Sequence, residues 1–151
     1  MRPRYYLDTS VLGGYFDVEF LEDTRAFWEE LRAGRCTAVI STLSLEELVR
    51  APEQVQELLG SLPEGGLETV AITDEVEALA DRYVSEGVVA ARSRGDALHV
   101  AVATLAGVKA IVSWNFKHLV NLRRIELFNG VNMLAGYRTI DIRTPREVTE
   151  V

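Results

Sequence analysis

The chain has 151 residues, 48% of them apolar and 26% charged, which suits one domain with a sizeable core and excludes disordered and fibrous classes. The formal net charge of −7 is unevenly spread: residues 1–86 carry 7 Lys/Arg against 18 Asp/Glu, whereas residues 87–151 carry 9 against 5. The acidic half argues against a broad non-specific nucleic-acid binder, and the basic half suits a face for an anionic partner, although solvated helix faces explain these charges as well.

The N-terminus runs directly into a strand-like pattern, with no apolar signal segment, and residues 4–7 read as the first strand, ending at Asp8. Residues 11–16 contain Gly13-Gly14, a turn or flexible entry to a helical region. Helical spacing of Phe20, Ala26-Phe27 and Leu31 predicts a helix over 20–33, stopped by Gly34. Cys36, the single cysteine, excludes an internal disulfide and a thiolate-built zinc site, and is expected to be a small buried side chain. Residues 37–41 form a second buried strand. Ser44, with Glu47 three positions on, is expected to cap a short helix that Pro52 interrupts or ends.

A helix over 53–62, a turn over 63–66 and a third strand over 69–72 follow. Residues 74–86 form a helix capped by Thr73 or Asp74 and closed by Gly87. Arg94-Gly95-Asp96 precedes the apolar run ALHVAVATLAG, a helix buried on most sides but too short to span a bilayer. Fourth and fifth strands are expected over 109–113 and 139–142. The alternation predicts a single α/β domain over residues 1–151 with a mainly parallel sheet of about five strands, soluble, cytoplasmic and without membrane association.

Sites in such sheets lie beyond the carboxyl ends of the strands. Asp8 ends the first strand, Glu46-Glu47 follow the second, Asp96 opens the apolar helix and Ser113-Trp114-Asn115 follow the fourth strand, so these groups could converge there. Clustered carboxylates repel unless a cation or proton neutralises them, and oxygen ligands suit Mg²⁺ or Mn²⁺, which support phosphodiester hydrolysis. Each residue also has a structural role open to it. Asp8 could cap a turn, Glu47 could serve Ser44, Asp96 could serve a helix dipole, and Asn115 could form a turn. Trp114 could be a packing anchor, and His99 and His118 could be packing and surface residues rather than ligands.

The segments YYLDTSVL, LSLEELVR, DALHVAVAT and VSWNFKHL, in this order, resemble the PIN-domain nucleases, and most of all the VapC-type toxins of toxin–antitoxin pairs. The C-terminal GYRTIDIRTPREV is similar to the last strand and tail of that family. The resemblance implies a three-layer α/β/α fold and Mg²⁺- or Mn²⁺-dependent cleavage of RNA. It places the family's acids on Asp8, Glu47 and Asp96, its hydroxyl on Ser113, and its fourth acid on Asn115, where an amide keeps an oxygen ligand but no charge.

On this reading Asp8, Glu47, Asp96 and Asn115 hold the metal, while Ser113 and Asn115 place a water or a phosphate oxygen. Arg92, Arg94, Lys117, His118, Arg123 and Arg124 are candidates for contact with single-stranded or looped RNA. The resemblance further implies a cognate antitoxin protein and a homodimer, with Phe20, Phe27 and Leu58 among the candidate interface positions. The alternative is a catalytically weak PIN-like module that binds RNA or an antitoxin. A phosphate-transfer hydrolase using Asp8 as nucleophile is disfavoured, since Ser10 stands where a second Asp is usual.

Overall fold

Alternation along the central strand separates two cores. In the computed structural model, which describes residues 2–149, β1 (Arg4–Leu7) sends Tyr5 and Leu7 to one face of the sheet and Tyr6 to the other. β2 (Thr37–Ser41), β3 (Leu67–Val70), β4 (Ala110–Val112) and β5 (Ile142–Arg143) complete a five-stranded sheet of order β3-β2-β1-β4-β5. All four strand pairings are parallel. β1 is therefore central, and the chain leaves it first toward β2 and later toward β4.

Helices cover both faces, as an all-parallel sheet requires. On the Tyr5 and Leu7 face lie α1 (Thr9–Gly14), α2 (Leu21–Arg32), α3 (Thr42–Val49) and α4 (Glu53–Gly60), burying Val11, Phe27, Trp28, Leu31, Leu48 and Leu58. On the Tyr6 face lie α5 (Asp74–Ser85), α6 (Arg94–Ala106) and α7 (Leu122–Leu134), burying Leu79, Tyr83, Val100 and Phe128. The short α8 (Pro145–Thr149) adds Val148 to the first core. This is the expected three-layer α/β/α arrangement. Cys36 is buried, and burial raises its thiol pKa to about 11, so it is a packing residue. No helix among the described residues is long and apolar enough to cross a membrane.

Several boundaries differ from the sequence expectation. The cap of α3 is Ser41, whose side chain accepts from the Ser44 N–H in a reciprocal capping box; Ser44 is inside the helix, and Glu47 takes no part. Gly13 and Gly14 belong to α1 rather than to a turn, and Gly14 faces the edge of the Trp114 ring. β3 runs over 67–70, because its register matches Leu67 to Ala38 and Val70 to Ser41, where β2 ends; residues 71 and 72 have no strand beside them. β5 begins at Ile142 rather than at 139, since the Asn129 side chain holds both backbone groups of Ile140, at 2.8 and 2.7 Å. α7 has no counterpart in the sequence reading, and α4 stops at Gly60 rather than 62. Phe27 and Leu58, considered for a dimer surface, are buried in the core of the single chain.

Candidate functional site

Asp8 and Ser113 follow β1 and β4, neighbours in the sheet and the pair at which the strand order reverses, where a crevice opens in α/β folds. The Asp8 N–H still donates to the Val112 carbonyl at 3.0 Å, so the residue is in register with β4 as its side chain leaves the sheet. Its carboxylate is 5% exposed and makes no capping bond to α1. Instead Oδ2 accepts from Ser10 Oγ at 2.7 Å and Ser113 Oγ at 2.9 Å. Each serine also accepts a backbone N–H from the loop after β4: Trp114 N to Ser10 Oγ at 3.0 Å, and Asn115 N to Ser113 Oγ at 2.9 Å. One carboxylate thus holds two hydroxyls, and the hydroxyls hold the loop.

Glu47, on α3, presents Oε1 to His99 Nε2 at 2.8 Å and to Thr9 Oγ1 at 3.4 Å. Its neighbour Glu46 makes no hydrogen bond to His99 or Thr9. Asp96, in the first turn of α6, presents Oδ2 to His118 Nδ1 at 2.8 Å. The backbone N–H of His118 donates to Asn115 Oδ1 at 3.0 Å, so the amide oxygen closes a turn within the same loop.

Both histidines, read from the sequence as packing or surface residues, are partners of the carboxylates. Nearly all of His99 is buried, with Nδ1 2.6 Å from the Tyr6 hydroxyl, itself 2.8 Å from Ser41 Oγ. Burial pulls the His99 pKa down, but the Glu47 hydrogen bond and the charges of Asp8, Glu47 and Asp96 outweigh it and leave the net shift upward. Burial pushes the Tyr6 phenol up to about 12, so it remains a neutral hydroxyl. Position carries the signal for these residues: His99 is one helical turn after Asp96, and Ser10 is two residues after Asp8.

Among the other expected residues, Arg92 and Lys117 are exposed and enter no ion pair among the described residues. Arg94 instead pairs with Asp81 at 2.8 Å and Glu77 at 3.9 Å on α5, and Arg124 donates to the Val88 carbonyl. Trp114 is a packing anchor, donating to Thr24 Oγ1 at 2.8 Å and stacked on Phe20 at 4.5 Å. A cavity of about 350 Å³ adjoins Glu47, lined also by Leu43, Glu46 and Arg50. A larger one of about 780 Å³ lies away from these acids, where Asp141 and Glu147 are already paired with Arg143.

Among the described residues no three of His, Cys, Asp and Glu stand together as a ready-made metal cluster. The donor chemistry nevertheless fits a hard divalent cation: carboxylate, hydroxyl and amide oxygens, with no thiolate. Each acid uses one oxygen for the bonds above, Asp8 Oδ2, Glu47 Oε1 and Asp96 Oδ2, and its other oxygen enters none of them.

Comparison with known proteins agrees with this architecture. A family model described as the PIN domain matches residues 5–118. Among solved structures, the crystal structure of FitAcB from Neisseria gonorrhoeae is similar over 93% of this chain and 97% of that one, with a TM-score of 0.58 and 14% sequence identity. No curated protein matches the sequence significantly.

Proposed function

Since the chain belongs to the PIN-domain family, we propose that it is a divalent-metal-dependent endoribonuclease that cleaves single-stranded or looped RNA, acting as the toxin of a toxin–antitoxin pair. The observation that supports this most strongly is the bonding of the three acids around the loop after β4 and the start of α1: Asp8 holds Ser10 and Ser113, Glu47 bonds His99 and Thr9, and Asp96 bonds His118, each through one oxygen while the other enters none of these bonds. Carboxylates brought to the same end of a sheet are costly in isolation, and a cation is the natural counterweight.

Asp8, Glu47 and Asp96 would hold Mg²⁺ or Mn²⁺, with Asn115 as a further oxygen donor. The ion would supply Lewis acidity to the attacking water and to the phosphate. Ser10 and Ser113 fix the Asp8 carboxylate by donating to one of its oxygens. Arg92 and Lys117, exposed and without ion pairs among the described residues, are suited to hold flanking phosphates, whereas the His118 ring is already bonded to Asp96. Arg94 could join them only by loosening its pairs with α5.

An antitoxin partner and a homodimer belong to the same proposal. The core positions of Phe27 and Leu58 remove them from any interface, and the most exposed large apolar side chains among the described residues are Val18, Val49, Leu122, Met133 and Leu134. A second reading, a binding module without efficient cleavage, is favoured by one feature: Asn115 is uncharged and its oxygen already accepts from the His118 N–H.

Asp8→Asn separates the two. The nuclease reading expects this variant to lose at least about 100-fold in RNA cleavage, the order seen when a group that stabilises charge at a reacting centre is removed, while RNA binding by filter retention is kept. Equal cleavage by the variant and the wild type would remove Asp8 from the mechanism.

A further inference from the structure

The Glu47 carboxylate is 40% exposed on its helix, yet the group that holds it is 2% exposed. A mobile glutamate on a short helix would sample several rotamers, and each lost rotamer weakens a ligand before it meets its ion. Here one carboxylate oxygen is tied to His99 Nε2 at 2.8 Å, and His99 is tied through Nδ1 to the Tyr6 hydroxyl at 2.6 Å. The Tyr6 hydroxyl lies 2.8 Å from Ser41 Oγ and 3.4 Å from Ser44 Oγ, the two side chains of the α3 capping box. The chain of bonds therefore leaves α3 at Glu47, crosses α6 and β1, and returns to the first turn of α3. It is a closed loop, and it fixes where α3 starts as well as where Glu47 points.

The donor pattern along this loop is determined. An ionised carboxylate only accepts, so Nε2–H donates to Glu47 whether His99 is neutral or charged. In the neutral ring, Nδ1 accepts from the Tyr6 hydroxyl, which then accepts from a serine; in the charged ring the direction of that chain reverses. Glu47 is held in both. No buried polar side-chain atom among the described residues lacks a partner, so the loop is complete as it stands.

From this geometry we infer that His99, with Tyr6 behind it, is a positioning residue that fixes one oxygen of Glu47 and leaves the other set for a divalent cation. The inference rests on the metal-dependent reading of the site given above. Outer partners of this kind typically change metal affinity by about 10- to 100-fold when removed.

The test is a Mn²⁺ titration of the purified full chain followed by electron paramagnetic resonance, which reads binding without turnover. Wild type, Tyr6→Phe, His99→Leu and His99→Gln are compared, with Glu47→Gln as the reference for loss of the ligand itself. Circular dichroism and thermal melts confirm which variants are folded, and Tyr6→Phe keeps the buried ring if His99→Leu does not fold. The expected result is a Mn²⁺ dissociation constant raised about 10-fold or more in Tyr6→Phe and His99→Leu, with partial recovery in His99→Gln, whose amide can still donate to Glu47. RNA KM at saturating Mn²⁺ should stay at the wild-type value. Folded Tyr6→Phe and His99→Leu proteins that bind Mn²⁺ as the wild type does, while Glu47→Gln does not, would overturn the positioning role and leave the metal reading intact. Absence of Mn²⁺ binding by the wild type would overturn both.

Discussion

Gly14 lies so close to the Trp114 ring that an added Cβ would sit 2.8 Å from two of its atoms and 3.0 Å from Thr24 Oγ1. The ring has no room to yield, because its N–H bonds Thr24 and its face stacks on Phe20. Gly14→Ala should therefore destabilise the protein by about 1–3 kcal/mol, the usual cost of overpacking, and thermal melting should show a clear drop in Tm. An unchanged Tm would mean that the loop after β4 is looser than these contacts require. The same loop carries Ser113 and Asn115, so one small residue in α1 helps set the position of two site residues. At this scale Asp8, Glu47 and Asp96 were picked out in the sequence by their places at a strand end, after a strand and at the start of an apolar helix. Their histidine partners were not, because a lone His in an apolar helix gives no sign of what faces it from another strand.

Among the elements, α7 and β5 depend on one another through Asn129. Its side chain accepts from the Ile140 N–H at 2.7 Å and donates to the Ile140 carbonyl at 2.8 Å, doing for the chain what a neighbouring strand would do. Asn129→Ala leaves both backbone groups without that partner, at a cost of about 1–3 kcal/mol. Hydrogen exchange should show the amide of Ile140 losing protection while β1 and β4 keep theirs; retained protection at Ile140 would contradict the clamp. This pairing also explains why the last strand was misplaced from sequence, since the TIDI alternation is real but its backbone is claimed by a side chain eleven residues earlier. α7 was missed for a related reason: Leu122, Leu127, Met133 and Leu134 are exposed on it, so its apolar residues do not mark one buried face. β1, β2 and α6 were plain from sequence because their apolar runs are buried nearly throughout.

For the whole molecule, the parallel sheet decides where chemistry can occur. Five strands pointing the same way deliver Asp8 and Ser113 to one edge, and the helices that begin there bring Glu47 and Asp96 to join them. The charge division of the sequence has partly internal causes, since Arg94 and Arg143 are paired with acids within the chain. Arg92 and Lys117 remain exposed, four residues before Asp96 and one before His118 in the sequence, cations suited to a polyanion. The proposed function asks the three carboxylates to support metal-dependent RNA cleavage together. The most direct measurement is cleavage of a mixed pool of structured RNAs by the pure protein in Mg²⁺, Mn²⁺ or EDTA, beside Asp96→Asn. Cutting is expected with either ion, none in EDTA, and a loss of at least about 100-fold in the variant. Cutting that survives EDTA or the Asp96→Asn change, or a well-folded, antitoxin-free wild type that cuts no RNA with either ion, would contradict it.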